Sequence, residues 1–253
     1  MPPTPPDISI IIPAYNEERR LPPTLERIRD YLALRHWNAE IIVVDDGSTD
    51  DTARVAQEWQ KEIPRLLLLQ NGRNRGKGYS VKQGMLAARA RLALFTDADL
   101  SSPIEEADKL LGVLTGGGYH VAIGSRALDR KNILVHQSRF REVAGILFNQ
   151  FVQVVTGVPF VDTQCGFKAF DRAAMLPVFA QQRVEGFGFD PELLFLAKRR
   201  GLRMTEIPVL WAHSPDTRVH MLRDSLRMLW ELFSIRWNWL LGRYPGPRRT
   251  GFT

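Results

Sequence analysis

Residues 40–48, EIIVVDDGS, decide the fold class, because an apolar and largely β-branched run ends there in two aspartates and a glycine. A run without polar alternation is typical of a strand buried on both faces of a parallel sheet. The same pattern, an apolar run followed by polar residues, recurs at residues 8–17, ISIIIPAYNE, and at residues 91–99, RLALFTDAD. The three stretches therefore predict strands at 8–12, 40–44 and 91–96, each followed by polar residues.

The intervals between these strands have helical spacing or further apolar runs. Helices are predicted at 21–34, 49–58, 80–90, 103–114, 140–155, 191–200 and 221–241. Further strands are predicted at 66–69, 120–124 and 204–210, and residues 162–170 are predicted as a loop with a short strand. Alternating strands and helices favour an α/β protein in which helices cover both faces of a mostly parallel sheet.

Composition and charge narrow the function classes. Hydrophobic residues make up 44% and charged residues 25% of the 253 positions, which excludes a disordered or fibrous chain. The single cysteine, Cys165, excludes an internal disulfide framework and fits a reducing compartment. The net charge of +6 indicates an anionic partner such as nucleic acid, phosphates or an acidic membrane surface. The sequence has no signal-peptide pattern at residues 1–9, and charges or polar residues interrupt its longest apolar stretches.

Acidic residues follow three of the predicted strands, and the carboxyl ends of parallel strands share one edge of a sheet. Asp97 and Asp99 follow the strand at 91–96, two residues apart. Carboxylate oxygens are ligands that Mg²⁺ and Mn²⁺ prefer, and water and substrate phosphates usually complete the coordination. The alternative is a polar turn. The neighbouring acidic strand ends favour the metal interpretation, so we predict Asp97 and Asp99 as ligands of Mg²⁺ or Mn²⁺.

Two further stretches suggest a nucleotide. Asp46 follows a buried strand, where its carboxylate is able to accept the imide N–H of a uracil, and Tyr15 offers a flat face for a base; a turn and a packing role are the alternatives. Residues 73–78, RNRGKG, resemble a Walker A loop but fail its pattern, since the glycine spacing is one residue short and Gly78 stands where Ser or Thr is needed. A less specific phosphate- or base-contacting loop and a solvated basic turn remain open.

Taken together, these motifs resemble family 2 glycosyltransferases of the GT-A fold. Within that family they resemble the dolichyl- and polyprenyl-phosphate sugar synthases, particularly the dolichyl-phosphate β-glucosyltransferase branch. The matching stretches occur in family order from residue 9 to about residue 230: SIIIPAYNEERRL, EIIVVDDGSTDDT, NRGKGYSVKQGM, FTDADLSSP, IGSR, DTQCGFKAF, GFGFDPELLFLAKRRG and EIPVLWAHSPDTRVHMLRDSLRML.

The resemblance implies a role for each matching position. The nucleotide pocket would be lined by Pro13, Tyr15 and Glu17, with Asp46 on the base and Lys77 beside the nucleotide. Asp97 would face the ribose or the metal, Asp99 would be the main metal ligand, and two arginines would meet the phosphate of the acceptor, Arg126 and Arg218. One departure is Ser101, which stands where mannosyl members often carry a glutamine that binds the metal.

The implied reaction is a metal-dependent inverting transfer of glucose from UDP-glucose to dolichyl or polyprenyl phosphate. Such a phosphate has a second pKa of about 6, so it is mostly a dianion at pH 7 and needs no general base. The catalytic candidates are Asp97, Asp99, Arg126 and Asp190. Asp190 has two interpretations, since it is an acidic residue in a region where related enzymes carry a base, and Asp190-Pro191 is also a typical helix start.

Three other activities stay open at this stage. The first is mannosyl transfer from GDP-mannose, or another family 2 reaction, on the same fold. The second is nucleotidyl transfer, which also uses carboxylate-held Mg²⁺ but releases pyrophosphate. The third belongs to a different class, a basic nucleic-acid-binding protein, whose affinity for oligonucleotides would fall steeply with salt. That class leaves the acidic strand ends unexplained, so nucleic acid is not among the expected partners.

The last predicted helix suggests a membrane surface as a partner. Its apolar residues form one stripe, and residues 218–249 contain seven arginines against two acids. A basic amphipathic helix with tryptophans is typical of a membrane interface, although an ordinary helix covering the sheet is the alternative. We therefore expect one domain over residues 1–253, with a nucleotide-binding half (7–126), an acceptor half (127–217) and an amphipathic helix (218–244). We also expect a peripheral protein on the cytoplasmic face of the membrane.

Overall fold

A computed structural model of the chain describes residues 4–129, 131, 133–135, 139–212 and 221–245. For residues 133–135, 139–144 and 221–226 it describes the backbone only. Arg218, which the sequence predicts as an acceptor-binding residue, lies outside the described residues.

A seven-stranded sheet organises the molecule, in the order β3-β2-β1-β4-β7-β5-β8. All neighbouring strands are parallel except β7, which runs antiparallel to both β4 and β5. A small parallel pair, β6 and β9, lies apart from this sheet. The strands are β1 (Ile8–Ala14), β2 (Ala39–Asp45), β3 (Leu66–Gln70), β4 (Leu92–Thr96), β5 (Val121–Ser125), β6 (Ile133–Val135), β7 (Phe167–Asp171), β8 (Met204–Pro208) and β9 (Trp211–Ala212).

Helices pack on both faces of the sheet. One apolar layer lies under α1, α2 and α4, and the other lies under α3 and the helices of the second half of the chain. The helices are α1 (Leu21–Leu34), α2 (Thr52–Trp59), α3 (Lys77–Ala87), α4 (Ala107–Gly116), α5 (Arg139–Thr156), α6 (Arg172–Gln181), α7 (Phe189–Arg199) and α8 (Met221–Leu240).

Strand β1 shows why the apolar runs predict buried strands. Successive side chains of a strand point to opposite faces of the sheet. Ile10 and Ile12 therefore enter the layer under α1, whereas Ile11 enters the opposite layer, and all three are fully buried. The α/β class, the parallel strands and the flanking helices predicted from the sequence are confirmed.

Neither β6 nor β9 was predicted, and three further elements of the second half of the chain differ from the prediction. Residues 172–181 form α6, which the sequence pattern missed because Pro177 lies inside the helix. The short strand predicted inside 162–170 is β7, which extends to Asp171 and lies between β4 and β5 in the sheet. The predicted helix at 191–200 begins earlier, at Phe189, with Gly188 as its N-cap residue. Of the two interpretations of Asp190, the one as the helix cap is therefore wrong.

Candidate active site

The polar strand ends predicted from the sequence meet at one edge of the sheet. Strand β1 lies between β2 and β4 and runs parallel to both, and Ala14 pairs in register with Asp45. The residues that follow these strands therefore leave the sheet side by side. This edge is the position at which open α/β sheets bind their ligands.

Hydrogen bonds join the loop after β1 to the loop after β2. The Asn16 backbone N–H donates to Ser48 Oγ at 2.8 Å, and the Thr49 N–H donates to Asn16 Oδ1 at 2.8 Å. Asn16 adopts a positive φ of 55°, a conformation that asparagine tolerates better than most residues. The two loops hold Tyr15 with 38% of its surface exposed, beside the half-buried Pro13. Tyr15 is thus available to a flat ligand at the edge.

Asp46 is buried and holds the basic loop, which we define as residues 71–76. Its Oδ1 accepts hydrogen bonds from Asn71 Nδ2 at 2.7 Å and from the Arg75 N–H at 3.0 Å. Its Oδ2 accepts from the Gly76 N–H at 2.7 Å. A carboxylate has about four acceptor positions, and the protein occupies three of them. The main structural role of Asp46 is therefore to shape the loop that leads into α3.

Glu17 is linked to Asp99 through the Arg20 side chain. Its carboxylate binds the Arg20 guanidinium through two hydrogen bonds of 2.5 Å. Arg20 Nη1 lies 3.8 Å from Asp99 Oδ2, so the three side chains form a chain of alternating charge. The Ser101 N–H donates to the other oxygen of Asp99 at 3.0 Å. Ser101 thus supports Asp99 through its backbone.

Lys77, the first residue of α3, faces Asp97. Its Nζ lies 2.5 Å from Asp97 Oδ1 and 5.3 Å from the centre of the Phe95 ring. Burial acts to lower the pKa of Lys77, but the negative charges of Asp97 and Asp190 outweigh it, so the pKa is raised and the ammonium stays charged. The sequence predicted Lys77 beside a nucleotide and Asp97 on its metal, and the fold brings both residues to the same point.

A buried ion pair also lies beside Phe95. Lys168 on β7 is 1% exposed, and its Nζ lies 2.7 Å from Asp190 Oδ1 on α7 and 5.4 Å from the Phe95 ring centre. Lys168 Nζ also donates to the Cys165 carbonyl at 2.5 Å. Burial raises the pKa of Asp190, and the charges of Lys168 and Lys77 oppose that rise only in part. Sequence reasoning missed Lys168, because nothing local in FKAF marks its lysine as buried.

The segment before β7 also contacts Asp97. A methyl group built on Gly166 would lie 2.5 Å from Asp97 Cγ, whereas ordinary contacts begin at 3.4 Å. The position of the Asp97 carboxylate therefore depends on the missing side chain of Gly166. No local signal in the sequence pointed to this contact, since the two residues are far apart along the chain.

Arg126, which follows β5, has a protein partner. Its Nε and Nη2 donate to the two oxygens of Asp162 at 2.7 and 2.8 Å, and its guanidinium lies 5.3 Å from the Trp211 ring centre. Burial opposes the charge of Arg126, but Asp162 outweighs it, so the pKa of Arg126 is raised and that of Asp162 is lowered. Arginine has five N–H donors, so Asp162 leaves three for another anion. The sequence analysis did not select Asp162.

Comparison with known proteins identifies the family to which the chain belongs. A family model described as glycosyl transferase family 2 matches residues 9–176. The chain belongs to glycosyltransferase family 2. It is similar to a dolichyl-phosphate beta-glucosyltransferase of Trichomonas vaginalis, with 38% identity over 214 residues, 81% of this chain and 65% of that protein. The relatives of the same name from Saccharomyces cerevisiae and Homo sapiens are each 33% identical, covering 94% of this chain and 76% and 77% of their own lengths.

Solved structures show the same fold at lower identity. Mannosyl-3-phosphoglycerate synthase from Rubrobacter xylanophilus superposes with a TM-score of 0.67 at 22% identity, covering 98% of this chain and 79% of that one. Glucosyl-3-phosphoglycerate synthase from Mycobacterium tuberculosis, crystallised with Mn²⁺, uridine-diphosphate and glucosyl-3-phosphoglycerate, gives 0.62 at 21% identity, covering 96% and 82%. The predicted GT-A fold and the predicted enzyme class, a glycosyltransferase, are confirmed.

The donor set of this glycosyltransferase fits a hard divalent cation. Within the described ranges, no three His, Cys, Asp or Glu side chains converge on one point. Mg²⁺ usually takes one or two carboxylates and completes its coordination with water and phosphates, and Asp97 with Asp99 would supply such a pair of carboxylates. The side chains of Asp97 and Asp99 are 35% and 19% exposed, so both are within reach of a ligand from solvent.

Proposed function

We propose that this family 2 glycosyltransferase moves glucose from UDP-glucose to dolichyl or polyprenyl phosphate, with Mg²⁺ or Mn²⁺ as cofactor. The proposal is supported by relatives named dolichyl-phosphate beta-glucosyltransferase and by a structural neighbour crystallised with Mn²⁺ and UDP. The observation that carries it is the edge of the sheet where Asp97 and Asp99 lie beside Lys77. Carboxylates for a cation and an ammonium for a phosphate are what a nucleotide-diphosphate sugar requires.

The reaction needs one displacement. An oxygen of the acceptor phosphate attacks C1 of the sugar, the bond from C1 to the diphosphate oxygen breaks, and its electron pair leaves with UDP. A cation held by Asp97 and Asp99 would offset the charge that develops on this leaving group. Lys77, whose raised pKa keeps it charged, stabilises the same negative charge from the start of α3. A single displacement converts an α-linked donor into a β-linked product.

The acceptor requires positive charge rather than a base. Its phosphate is mostly a dianion at pH 7, because the second pKa of a phosphate ester is about 6. Arg126 is oriented by Asp162, which takes two of its five N–H donors, and Arg218 stays a prediction for the same role. Asp190 is engaged by Lys168 at 2.7 Å, which supports a positioning role over proton abstraction.

The lipid tail of such an acceptor requires an apolar surface, and α8 presents one. Trp230, Phe233, Trp237 and Leu240 are 74%, 58%, 62% and 68% exposed along one side of the helix. Arg227, beside this stripe, leaves 60% of its side chain exposed. Among the described residues, none of the helices combines the length and hydrophobicity needed to cross a bilayer. We propose that this face lies on an anionic leaflet, which would hold the protein peripherally on the cytoplasmic face of the membrane.

Product analysis tests the proposed reaction. Purified protein is incubated with a short-chain polyprenyl phosphate and Mg²⁺, with UDP-glucose in one reaction and GDP-mannose in the other. We expect UDP and a β-linked lipid-phosphate glucose from the first reaction. Exclusive turnover of GDP-mannose would make the enzyme a mannosyl transferase, and release of pyrophosphate would indicate nucleotidyl transfer instead.

Vesicle binding tests the proposed location. Replacing Trp230 and Trp237 together by alanine should reduce co-sedimentation with anionic vesicles, because interfacial tryptophans supply apolar area at the headgroup level. Turnover of a water-soluble acceptor should stay close to that of the wild type. Wild-type protein that stays in the supernatant at low salt would contradict the peripheral location.

A further inference from the structure

Helix α8 has an inner face that reaches the active-site side of the molecule. Leu232 and Ile235 on this face are fully buried, and Glu231 beside them is 9% exposed. The exposed tryptophans occupy the opposite side of the helix. The Glu231 carboxylate is therefore directed into the protein, although α8 carries an exposed apolar stripe on its other side.

Glu231 binds the segment that precedes α7, which we call the buttress loop (residues 182–188). Its Oε2 accepts a hydrogen bond from the Gly188 N–H at 2.8 Å. Gly188 is the N-cap residue of α7, and N–H groups at a helix start have no partner within the helix. The negative charge of Glu231 also lies at the positive end of the α7 dipole. Arg227, one turn earlier on α8, donates to Glu231 Oε1 at 3.1 Å.

The glycines of the buttress loop show how closely Glu231 fits. A methyl group on Gly186 would lie 2.9 Å from Glu231 Cδ, and one on Gly188 would lie 2.7 Å from Glu231 Oε2. Both distances fall below the shortest contacts that real side chains make. Residues 186–188, GFG, are thus shaped around this carboxylate.

The other side of the buttress loop packs against the basic loop and the start of α3. The Tyr79 N–H donates to the Glu185 carbonyl at 3.1 Å, and the Glu185 carboxylate pairs with Arg75. A methyl group on Gly76 would lie 3.0 Å from the Glu185 carbonyl carbon. The Arg75 guanidinium stacks on the Tyr79 ring at 3.6 Å. The buttress loop is therefore held between α8 and the segment that ends in Lys77.

We propose that Glu231 is a positioning residue for the donor side of the site, because it fixes the buttress loop from α8 and the buttress loop fixes the basic loop beside Lys77. The inference rests on the proposed function in one respect, since it takes Lys77 and the basic loop as the donor-binding segment. It goes beyond that function by making donor binding depend on a residue of the helix that carries the exposed apolar stripe.

Hydrogen exchange and UDP titration of Glu231→Ala test the inference, with Glu40→Ala as the matched control. Glu40 is also a buried carboxylate that accepts a backbone N–H and an arginine Nε, from Arg89 at 2.6 and 2.8 Å, but it lies near the start of β2, at the far end of the strand from Asp46. In Glu231→Ala we expect amides of residues 71–79 to exchange about tenfold faster, and UDP measured with Mn²⁺ to bind about tenfold more weakly, equivalent to about 1.4 kcal/mol.

Glu40→Ala should lower the melting temperature without either effect. Glu231→Gln keeps an acceptor oxygen for Gly188 and should restore most of the protection from exchange. If Glu231→Ala fails to fold, Gly186→Ala tests the same contact from the loop side and should speed exchange in residues 71–79. The inference is overturned if these amides and UDP affinity stay as in the wild type. Wild-type protein that binds no UDP would refute the proposed donor, while exchange in residues 71–79 would still decide the role of Glu231.

Discussion

The contact between Gly166 and Asp97 provides the sharpest test of whether Asp97 and Asp99 hold a metal ion. Adding one methyl group in Gly166→Ala places that carbon 2.5 Å from Asp97 Cγ, where the normal contact distance is at least 3.4 Å. The overlap falls on the partly exposed end of the Asp97 side chain, so we expect the carboxylate to move away by about 1 Å to restore normal contact. The movement also disturbs its 2.5 Å pairing with Lys77.

A displacement of this size has a large expected effect on turnover. Misplacing a reacting group by about 1 Å costs on the order of 10²-fold in rate, which corresponds to about 2.7 kcal/mol in the activation free energy. We expect Gly166→Ala to lower kcat by about this factor. The UDP affinity gained on adding Mn²⁺, measured by calorimetric titration, should fall as well, because Asp97 is a proposed ligand. The titration makes the test independent of turnover.

The control is Gly112→Ala on α4. A methyl group at Gly112 meets no atom within 4 Å, and alanine is favoured over glycine inside a helix by about 1 kcal/mol. This variant should melt slightly above the wild type and keep full turnover. If Gly166→Ala keeps kcat within threefold of the wild type and the same gain in UDP affinity from Mn²⁺, the geometry of Asp97 is not limiting and our reasoning is wrong.

Three further predictions concern charged side chains of the site. Asp99→Asn should lose at least about 10²-fold in kcat with little change in melting temperature, and EDTA should abolish wild-type turnover until Mg²⁺ or Mn²⁺ is added; full activity in EDTA would exclude the metal. Asp46→Ala removes three hydrogen bonds worth about 1 kcal/mol each, so it should lower both stability and UDP affinity, and unchanged calorimetric affinity would remove the basic loop from donor binding. Arg126→Ala should raise the acceptor KM while donor binding stays near wild type, whereas Asp190→Asn should keep measurable turnover. Steady-state kinetics with thermal melts would contradict a base-free mechanism if Asp190→Asn abolished turnover at an unchanged melting temperature and Arg126→Ala had no effect.

The parallel half of the fold was predictable because its signals are local. A strand buried on both faces has an unbroken apolar run, and residues 8–12, 40–44 and 91–96 each contain one. Strand β7 lacks this signal, since it contains Lys168, whose buried ammonium is paired with Asp190 on α7 and with the Cys165 carbonyl. Helix α6 was missed because Pro177 disfavours a helix interior, although Asp171 caps its start by accepting the Ala174 N–H at 3.2 Å.

In the candidate site, several residues were predictable but their ion-pair partners were not. Rules for strand ends selected Asp46 and Asp97, and the resemblance to a family added Lys77 and Arg126. Their partners come from distant parts of the chain, as with Asp162, which lies 36 residues after Arg126. A pairing over that distance leaves no periodicity or spacing to recognise. The sequence therefore indicated which residues form the site but not which of them neutralise one another.

The ion pairs at this edge are better explained by ligands than by stability. Removing two charges from water costs about as much as their attraction returns, so a buried ion pair adds little net stability compared with apolar residues of the same shape. Yet the buried pair of Lys168 with Asp190 lies at the carboxyl ends of the central strands, together with the partly exposed pairs of Lys77 with Asp97 and Arg126 with Asp162. Such charges are useful where a bound molecule is itself highly charged, as the proposed nucleotide-diphosphate donor and lipid-phosphate acceptor both are. The internal partners keep each charge compensated before those ligands arrive, so the site need not carry isolated buried charges.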